Sequence, residues 1–168
     1  MVKQVYIASA ARTPVGSFQG ALSSMSAPEL GAHSIRASID RASVQDSQID
    51  EVIMGNVVSA GLKQAPARQA MRNAGLPDSC GATTINKVCG SGMKAIMLAT
   101  DLLKADSGTT IIAGGMESMS NAPYLVQKAR SGLRMGHQQM QDALFLDCLL
   151  YTSDAADEGL GVDLGGRR

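Results

Sequence analysis

The segment INKVCGSGM, residues 85–93, lies where a short β-prone run passes into a long apolar run. Residues 82–88 have the length and composition of a strand, and residues 90–104 have the length of a helix. Cys89 therefore lies at a strand-to-helix junction, with Gly90 and Gly92 directly after it. We interpret this junction as the centre of the fold and as the first candidate for chemistry.

A cysteine at the start of a helix is chemically favoured as a nucleophile. The free N–H groups and the dipole of the helix favour the thiolate, which is the nucleophilic form. Gly90 and Gly92 leave room for a substrate carbonyl to approach backbone N–H groups that could stabilise an oxyanion. The alternative is that Cys89 is a small buried hydrophobe before a turn, and the local residues leave both interpretations open.

Upstream of the junction, strand and helix patterns alternate. A buried first strand is predicted at residues 5–8 and a second at 52–54. The S-x-x-E pattern of Ser26 and Glu29 predicts a capping box that opens a helix, and residues 65–73 predict a shorter helix.

Downstream, residues 90–104 are apolar on nearly all sides, which predicts a central buried helix. Residues 109–113 predict another strand. The alternation along the chain predicts an α/β fold with a mainly parallel sheet between helical layers.

Composition narrows the class of function. The 168 residues carry 15 basic and 15 acidic side chains, so no excess charge favours nucleic acid or an anionic membrane. The start of the chain lacks a signal-peptide pattern, and no apolar run reaches the length of a membrane span. We therefore expect a cytoplasmic protein that acts on small molecules.

Other residues with possible chemistry are weaker candidates than Cys89. Three cysteines without C-x-x-C spacing support neither a disulfide framework nor a zinc site, so we expect no metal. Burial is expected for Cys80, and solvated surface positions for His33 and His137. Glu117 and Ser118 are interpreted either as a buried structural carboxylate with its neighbour or as residues with a chemical role. Met116 and Met119 are interpreted as pocket lining or packing. Lys128, Arg130 and Arg134 are interpreted as a solvated basic cluster, and Cys148 belongs to the tail.

The segment INKVCGSGMKAI, residues 85–96, resembles the acyl-enzyme signature of the thiolase family. Four further blocks resemble that family in the same order: YIASAARTPVGSFQGALS, EVIMGNVVSAG, QAPARQA and GGMESMSNAPY. The resemblance runs from about residue 2 to about residue 147 and favours Cys89 as the nucleophile.

The resemblance implies an acyltransferase that joins two acetyl-CoA molecules or cleaves 3-ketoacyl-CoA by thiolysis. Cys89 would carry the acyl group as a thioester, and its backbone N–H would form part of an oxyanion hole. Coenzyme A thioesters, acetyl-CoA and acetoacetyl-CoA among them, would be substrates, with no permanently bound cofactor. The basic cluster lies where the family begins its coenzyme A site, and the intact enzyme is expected to be a homo-oligomer.

The family's other catalytic segments do not occur in this sequence. These are a C-x-G-G-G-like segment with a second cysteine, a G-H-P histidine and an N-E-A-F-like asparagine. We expect three regions: a thiolase-like α/β domain at 1–116, the start of a loop domain at 117–147, and a non-family tail at 148–168 that is disordered or artefactual.

Three functional hypotheses follow. The first is a thiolase whose N-terminal half alone is inactive and leaves the helix after Cys89 uncovered. The second is a non-catalytic half-fold that binds a partner or acyl-CoA. The third is a condensing enzyme of the ketoacyl-synthase type, against which the ARTP and GGMESMSNAPY blocks argue.

Overall fold

A three-stranded parallel sheet forms the centre of the protein in the computed structural model, which describes residues 3–147. Its strands are β1 (Glu51–Gly55), β2 (Gly81–Ile85) and β3 (Ile111–Gly115), in the order β2-β1-β3. The register pairs Gly55 with both Ile85 and Gly115, so all three strands end at one edge. The predicted α/β class with a parallel sheet is confirmed.

Helices cover both faces of this sheet. The helices α1 (Ala27–Ala42) and α2 (Pro66–Asn73) pack on one face, and α3 (Ser91–Lys104) packs on the other. Alternate residues of a strand point to opposite faces. Accordingly Val52 and Met54 join the α1–α2 core, whereas Ile53 packs with Ala95 and Ala99 of α3.

Helix α1 begins with the predicted capping box. The N–H of Ser26 donates to Glu29 Oε2 at 2.7 Å, and the N3 N–H of the helix pairs with the Ser26 side chain in return. The Ser26 hydroxyl also donates to Glu29 Oε2 at 2.7 Å, and this hydrogen bond, followed by the one from the Ser26 N–H, lowers the pKa of Glu29. Ile35 and Ile39 are buried on the inner face of the helix, as expected for an amphipathic helix packed on a sheet.

Asp50 joins the starting ends of the three strands. Its N–H donates to Thr110 O at 3.0 Å, and its carbonyl accepts from Gly81 N at 2.9 Å. Its carboxylate accepts from Thr109 N at 2.6 Å and from Thr110 N at 3.0 Å. Asp50 therefore fixes the order of the sheet at the edge opposite the strand ends.

The prediction of a buried first strand at residues 5–8 is wrong. Tyr6 is 79% exposed and Ile7 is 85% exposed, and no strand within residues 3–147 pairs with this segment. A strand is stable only when another strand accepts and donates its backbone hydrogen bonds. Side-chain contacts with α1 hold the following residues instead, including Ser9 Oγ donating to Ser38 O at 2.7 Å.

Helix α3 is covered on one side only, which corrects the prediction of a central buried helix. Ala95 and Ala99 face the sheet, whereas Met93, Ile96 and Met97 are 72%, 50% and 52% exposed. The expectation that this helix is uncovered in the chain by itself holds for the described residues. Its outer face therefore presents three large apolar side chains to solvent within about one helical turn.

The remaining elements are short. A two-stranded antiparallel pair, β4 (Tyr124–Leu125) with β5 (Gln141–Asp142), precedes α4 (Ala143–Leu146). Single 3-10 turns lie at Asp46–Gln48, Met119–Asn121 and Ala129–Ser131. The predicted tail at 148–168 lies outside the described residues. Among the helices that are described, none has both the length and the apolar character required to cross a bilayer.

Candidate active site

Cys89 lies at the edge of the sheet where the parallel strands end. It follows β2 by four residues and directly precedes Gly90, the N-cap of α3. Its side chain is exposed, so the alternative of a buried hydrophobe is wrong. The position combines access for a substrate with the N-terminal end of a helix.

The backbone before Cys89 is in a conformation that its residue type disfavours. Val88 has φ +49°, in the left-handed region. This region costs a residue with a Cβ atom roughly 1–2 kcal/mol, and a β-branched residue there is an outlier. Gly90 N donates to Lys87 O and Ser91 N donates to Val88 O, both at 3.1 Å, which closes the turn around Cys89.

Two polar side chains hold this turn. Asn86 Oδ1 accepts from Val88 N at 2.9 Å. Ser91 is only 4% exposed, and its hydroxyl accepts from Lys87 N at 2.9 Å while donating to Val88 O at 2.6 Å. Side-chain hydrogen bonds therefore hold both the N–H and the carbonyl of Val88.

Glycines allow α3 to start directly on the strand ends. A Cβ atom on Gly55, the last residue of β1, would lie 2.5 Å from Ser91 Cβ and 2.8 Å from Gly92 N. A Cβ atom on Gly115, the last residue of β3, would lie 3.4 Å from Gly92 Cα, which is an ordinary contact. The first turn of α3 is therefore located by the ends of two strands.

Glu117 holds the loop after β1. Its carboxylate accepts from Val57 N at 2.9 Å, from Val58 N at 3.1 Å and from Asn56 Nδ2 at 2.8 Å. Burial raises the pKa of Glu117, and the two backbone hydrogen bonds oppose that rise. These contacts favour the structural interpretation, and the neighbouring Ser118 likewise donates to Met25 O at 2.7 Å.

Asn56 is the buried neighbour of this carboxylate. It is 2% exposed, and its side-chain oxygen has no hydrogen-bond partner within residues 3–147. Its backbone N–H donates to Ile85 O at 3.0 Å, so it links the end of β1 to the end of β2. Asn56 and Glu117 together tie the end of β1 to the end of β2 and to the loop that follows β1.

The other sequence candidates lie away from Cys89 or lack features of a catalytic group. Cys80 is buried, and burial, as the largest effect, raises its pKa. His33 and His137 are exposed, and Met116 is buried while Met119 is exposed. The basic residues Lys128, Arg130 and Arg134 are exposed in the segment around the last 3-10 turn.

Within residues 3–147 no group of three or more His, Cys, Asp or Glu side chains could hold a metal ion. An open groove of about 390 Å³ lies between residues 11–18, α1 and residues 115–120, but Cys89 does not line it. The groove therefore gives no support to the Cys89 site.

A parallel α/β half-fold with an exposed cysteine directly before the first turn of α3 is the arrangement expected of a thiolase N-terminal domain. The family described as "Thiolase, N-terminal domain" matches residues 5–163, and the chain belongs to this family. The matched range includes residues 148–163, which sequence analysis assigned to a non-family tail. The domain boundaries themselves stay a prediction.

Comparison with individual relatives supports the same family membership. The chain is 48% identical to an acetyl-CoA acetyltransferase of Escherichia coli K12 over 163 residues, and 49% identical to one of Schizosaccharomyces pombe over 161 residues. Each match covers 96% of this chain and 41% of the relative. The Acat5 thiolase of Ascaris suum, solved in complex with coenzyme A, superposes with a TM-score of 0.80 at 44% identity, over 84% of this chain and 37% of that one. The chain thus spans about two-fifths of the length of these relatives.

Sequence reasoning missed the residues that shape the Cys89 turn. Gly55 carried a signal, since a glycine ends a β-prone run there, but its contact with Ser91 depends on the sheet. Ser91 stood inside the quoted segment as one small residue between glycines. Val88 gave no signal, because nothing in a valine indicates the left-handed region.

Proposed function

We propose that this chain is the acyl-accepting part of an acetyl-CoA C-acetyltransferase, with Cys89 as the nucleophile. The observation that carries the proposal is the exposed thiol of Cys89 on a closed turn before α3. Two relatives named acetyl-CoA acetyltransferase and a related thiolase bound to coenzyme A support the substrate class.

In the synthetic direction, the Cys89 thiolate attacks the carbonyl carbon of acetyl-CoA. The bond from that carbon to the coenzyme A sulfur breaks, an acetyl thioester forms on Cys89, and coenzyme A leaves as a thiolate that takes up a proton. A second acetyl-CoA gives its α-proton to a base, and its carbanion attacks the acetyl group. As the carbon-carbon bond forms, the bond from the acetyl carbon to the Cys89 sulfur breaks, which releases acetoacetyl-CoA and restores the Cys89 thiolate.

The backbone N–H of Cys89 is suited to the oxyanion of the first step. None of the backbone hydrogen bonds in the described part of the chain uses this N–H as a donor. A donor fixed at the nucleophile stabilises the developing negative charge without reorganisation. A second donor and the two bases belong to the segments that the thiolase resemblance implies and that this sequence lacks.

Location, assembly and independent activity are proposed on the same basis. We expect the active enzyme to be a cytoplasmic homo-oligomer without a resident cofactor. The 168-residue chain is expected to form the acyl-enzyme at most, because the carbon-carbon step needs bases that are absent from its sequence.

Acylation of Cys89 tests the proposal directly. The purified chain is incubated with acetyl-CoA, and the modified peptide is identified by mass spectrometry. We expect one acetyl group on Cys89, none in Cys89→Ala, and an unchanged result in Cys80→Ala, which removes a buried thiol elsewhere. Acetylation that persists on other residues in Cys89→Ala, with none on Cys89 in the original chain, would overturn the assignment.

A further inference from the structure

We propose that Ser91 is a positioning residue that fixes the Cys89 nucleophile by holding Val88 in its left-handed conformation. The inference rests on the proposed role of Cys89 and adds a residue to it. One observation supports it: the buried Ser91 hydroxyl forms hydrogen bonds with both Lys87 and Val88.

The Ser91 hydroxyl does not act as a helix cap. The N-terminus of α3 has no side-chain cap hydrogen bond. The hydroxyl reaches back out of the helix, accepting from Lys87 N at 2.9 Å and donating to Val88 O at 2.6 Å. Both contacts restrain the turn that presents Cys89, so the hydroxyl serves that turn.

Packing of the Val88 side chain does not explain its conformation. Val88 is 46% exposed and belongs to neither buried core cluster. Hydrogen bonds to the backbone of Val88 therefore maintain its φ of +49°. Ser91 supplies two of them, since both its hydroxyl and its N–H, the latter at 3.1 Å, donate to Val88 O. Removing the hydroxyl leaves a branched residue in a disfavoured region with less to hold it there.

Ser91 can act in this way because its own position is fixed. Its Cβ atom lies against Gly55 at the end of β1, and its side chain is 4% exposed. A hydroxyl on a mobile residue would move together with the turn and could not restrain it. The Ser91 hydroxyl can restrain the turn because Ser91 is packed against the sheet. The chain of contacts runs from Gly55 to Ser91, from Ser91 to Val88, and from Val88 to Cys89.

The test uses the 168-residue chain and a matched control. Ser91→Ala removes both hydroxyl contacts and keeps the Cβ atom. Ser38→Ala removes a hydroxyl on α1 that donates to the carbonyl three residues earlier, Ile35 O, at 2.8 Å, as Ser91 does to Val88. Val88→Asn places at position 88 a residue type that tolerates the left-handed region, and the exposed side chain permits the exchange.

Two measurements follow the turn and the thiol separately. Amide hydrogen exchange at Gly90 and Ser91, which donate to the backbone carbonyls of Lys87 and Val88 that every variant retains, reports whether the turn stays closed. The rate of Cys89 alkylation by iodoacetamide reports how the thiol is presented. In Ser91→Ala we expect exchange to rise and alkylation to fall, each on the order of tenfold, since small displacements at a reacting group are costly. Ser38→Ala should change neither, and Ser91→Ala with Val88→Asn should return both to within about threefold of the original chain.

The outcomes separate this inference from the proposed function. Faster exchange in Ser91→Ala without a change in Cys89 alkylation would show that the hydroxyl stabilises the turn but does not position the thiol. Failure of Val88→Asn to restore both measurements would show that Ser91 does not act through the left-handed residue. Either result overturns the inference. Neither measurement requires coenzyme A chemistry, so absence of acyl transfer would count against the proposed function alone.

Discussion

A Cβ atom on Gly55 would lie 2.5 Å from the Cβ atom of Ser91, which is closer than two side-chain carbons approach in folded proteins. The contact joins the last residue of β1 to the first residue of α3. The site therefore requires glycine at position 55, because a side chain there would collide with the first turn of α3, the helix that follows Cys89.

Gly55→Ala is predicted to destabilise the chain by about 1–3 kcal/mol, since overpacking moves the backbone of α3. Cys89 alkylation should change with it. The control is Gly114→Ala on β3, where an added Cβ atom would meet Met54 Sδ at an ordinary 3.6 Å. Urea unfolding and alkylation rates measure the effects, and equal behaviour of the two variants would contradict the prediction.

Cys89 is predicted to react with limiting iodoacetamide on the order of tenfold faster than Cys80, or more. Cys89 is exposed, whereas Cys80 is buried with a pKa that burial raises. Peptide mass spectrometry under native conditions gives the two rates, and labelling in urea provides the reference in which the difference should largely disappear. Preferential native labelling of Cys80 would refute the site.

Asp50→Asn is predicted to lower the melting temperature at pH 7, with a difference that shrinks in acid. Hydrogen bonds from Thr109 N, and then from Thr110 N, hold the pKa of Asp50 below its ordinary value of 3.8. The folded state therefore prefers the carboxylate, and its contribution to stability is present above that value and lost as the pH falls through the lowered pKa. Asp101→Asn on α3 is the control, and a pH-independent difference would contradict the charge argument.

The 168-residue chain is predicted to cleave acetoacetyl-CoA at a rate near background. Catalytic groups that act as a unit are strongly non-additive, so the nucleophile without its bases retains little of the rate. Loss of the enolate absorbance measures cleavage, with the acetyl-CoA acetyltransferase of Escherichia coli as the positive control. Turnover within about tenfold of that control would show that the bases lie within this sequence.

The outer face of α3 is predicted to drive association. Met93, Ile96 and Met97 are at least half exposed on one helix. Ile96→Lys with Met97→Lys should shift the chain toward a monomer in light scattering across a concentration series, because it interrupts the apolar surface. Lys94→Glu changes charge on the same helix without removing apolar area, and an equal shift in that variant would contradict the hydrophobic explanation.

The sequence was sufficient to predict structural features that depend only on residues close together in the chain. The capping box of Ser26 and Glu29 is complete within four residues, and the β-prone runs needed only their own composition to predict the sheet. The predicted strand at residues 5–8 failed because a strand depends on a partner that its own composition cannot supply. The Cys89 turn was located correctly, but its left-handed Val88 and the role of Ser91 depend on where distant strands end.

The meeting of three strand ends beneath Cys89 also has a kinetic consequence. Gly55, Ile85 and Gly115 are far apart along the chain, and each precedes or follows a helical crossover. Contacts between such distant segments form slowly, because their loop-closure entropy is lost before the contacts stabilise the chain. The rate at which the Cys89 thiol acquires its native alkylation behaviour after dilution from urea therefore reports when the parallel sheet assembles, so this thiol is an intrinsic probe of the folding of this domain.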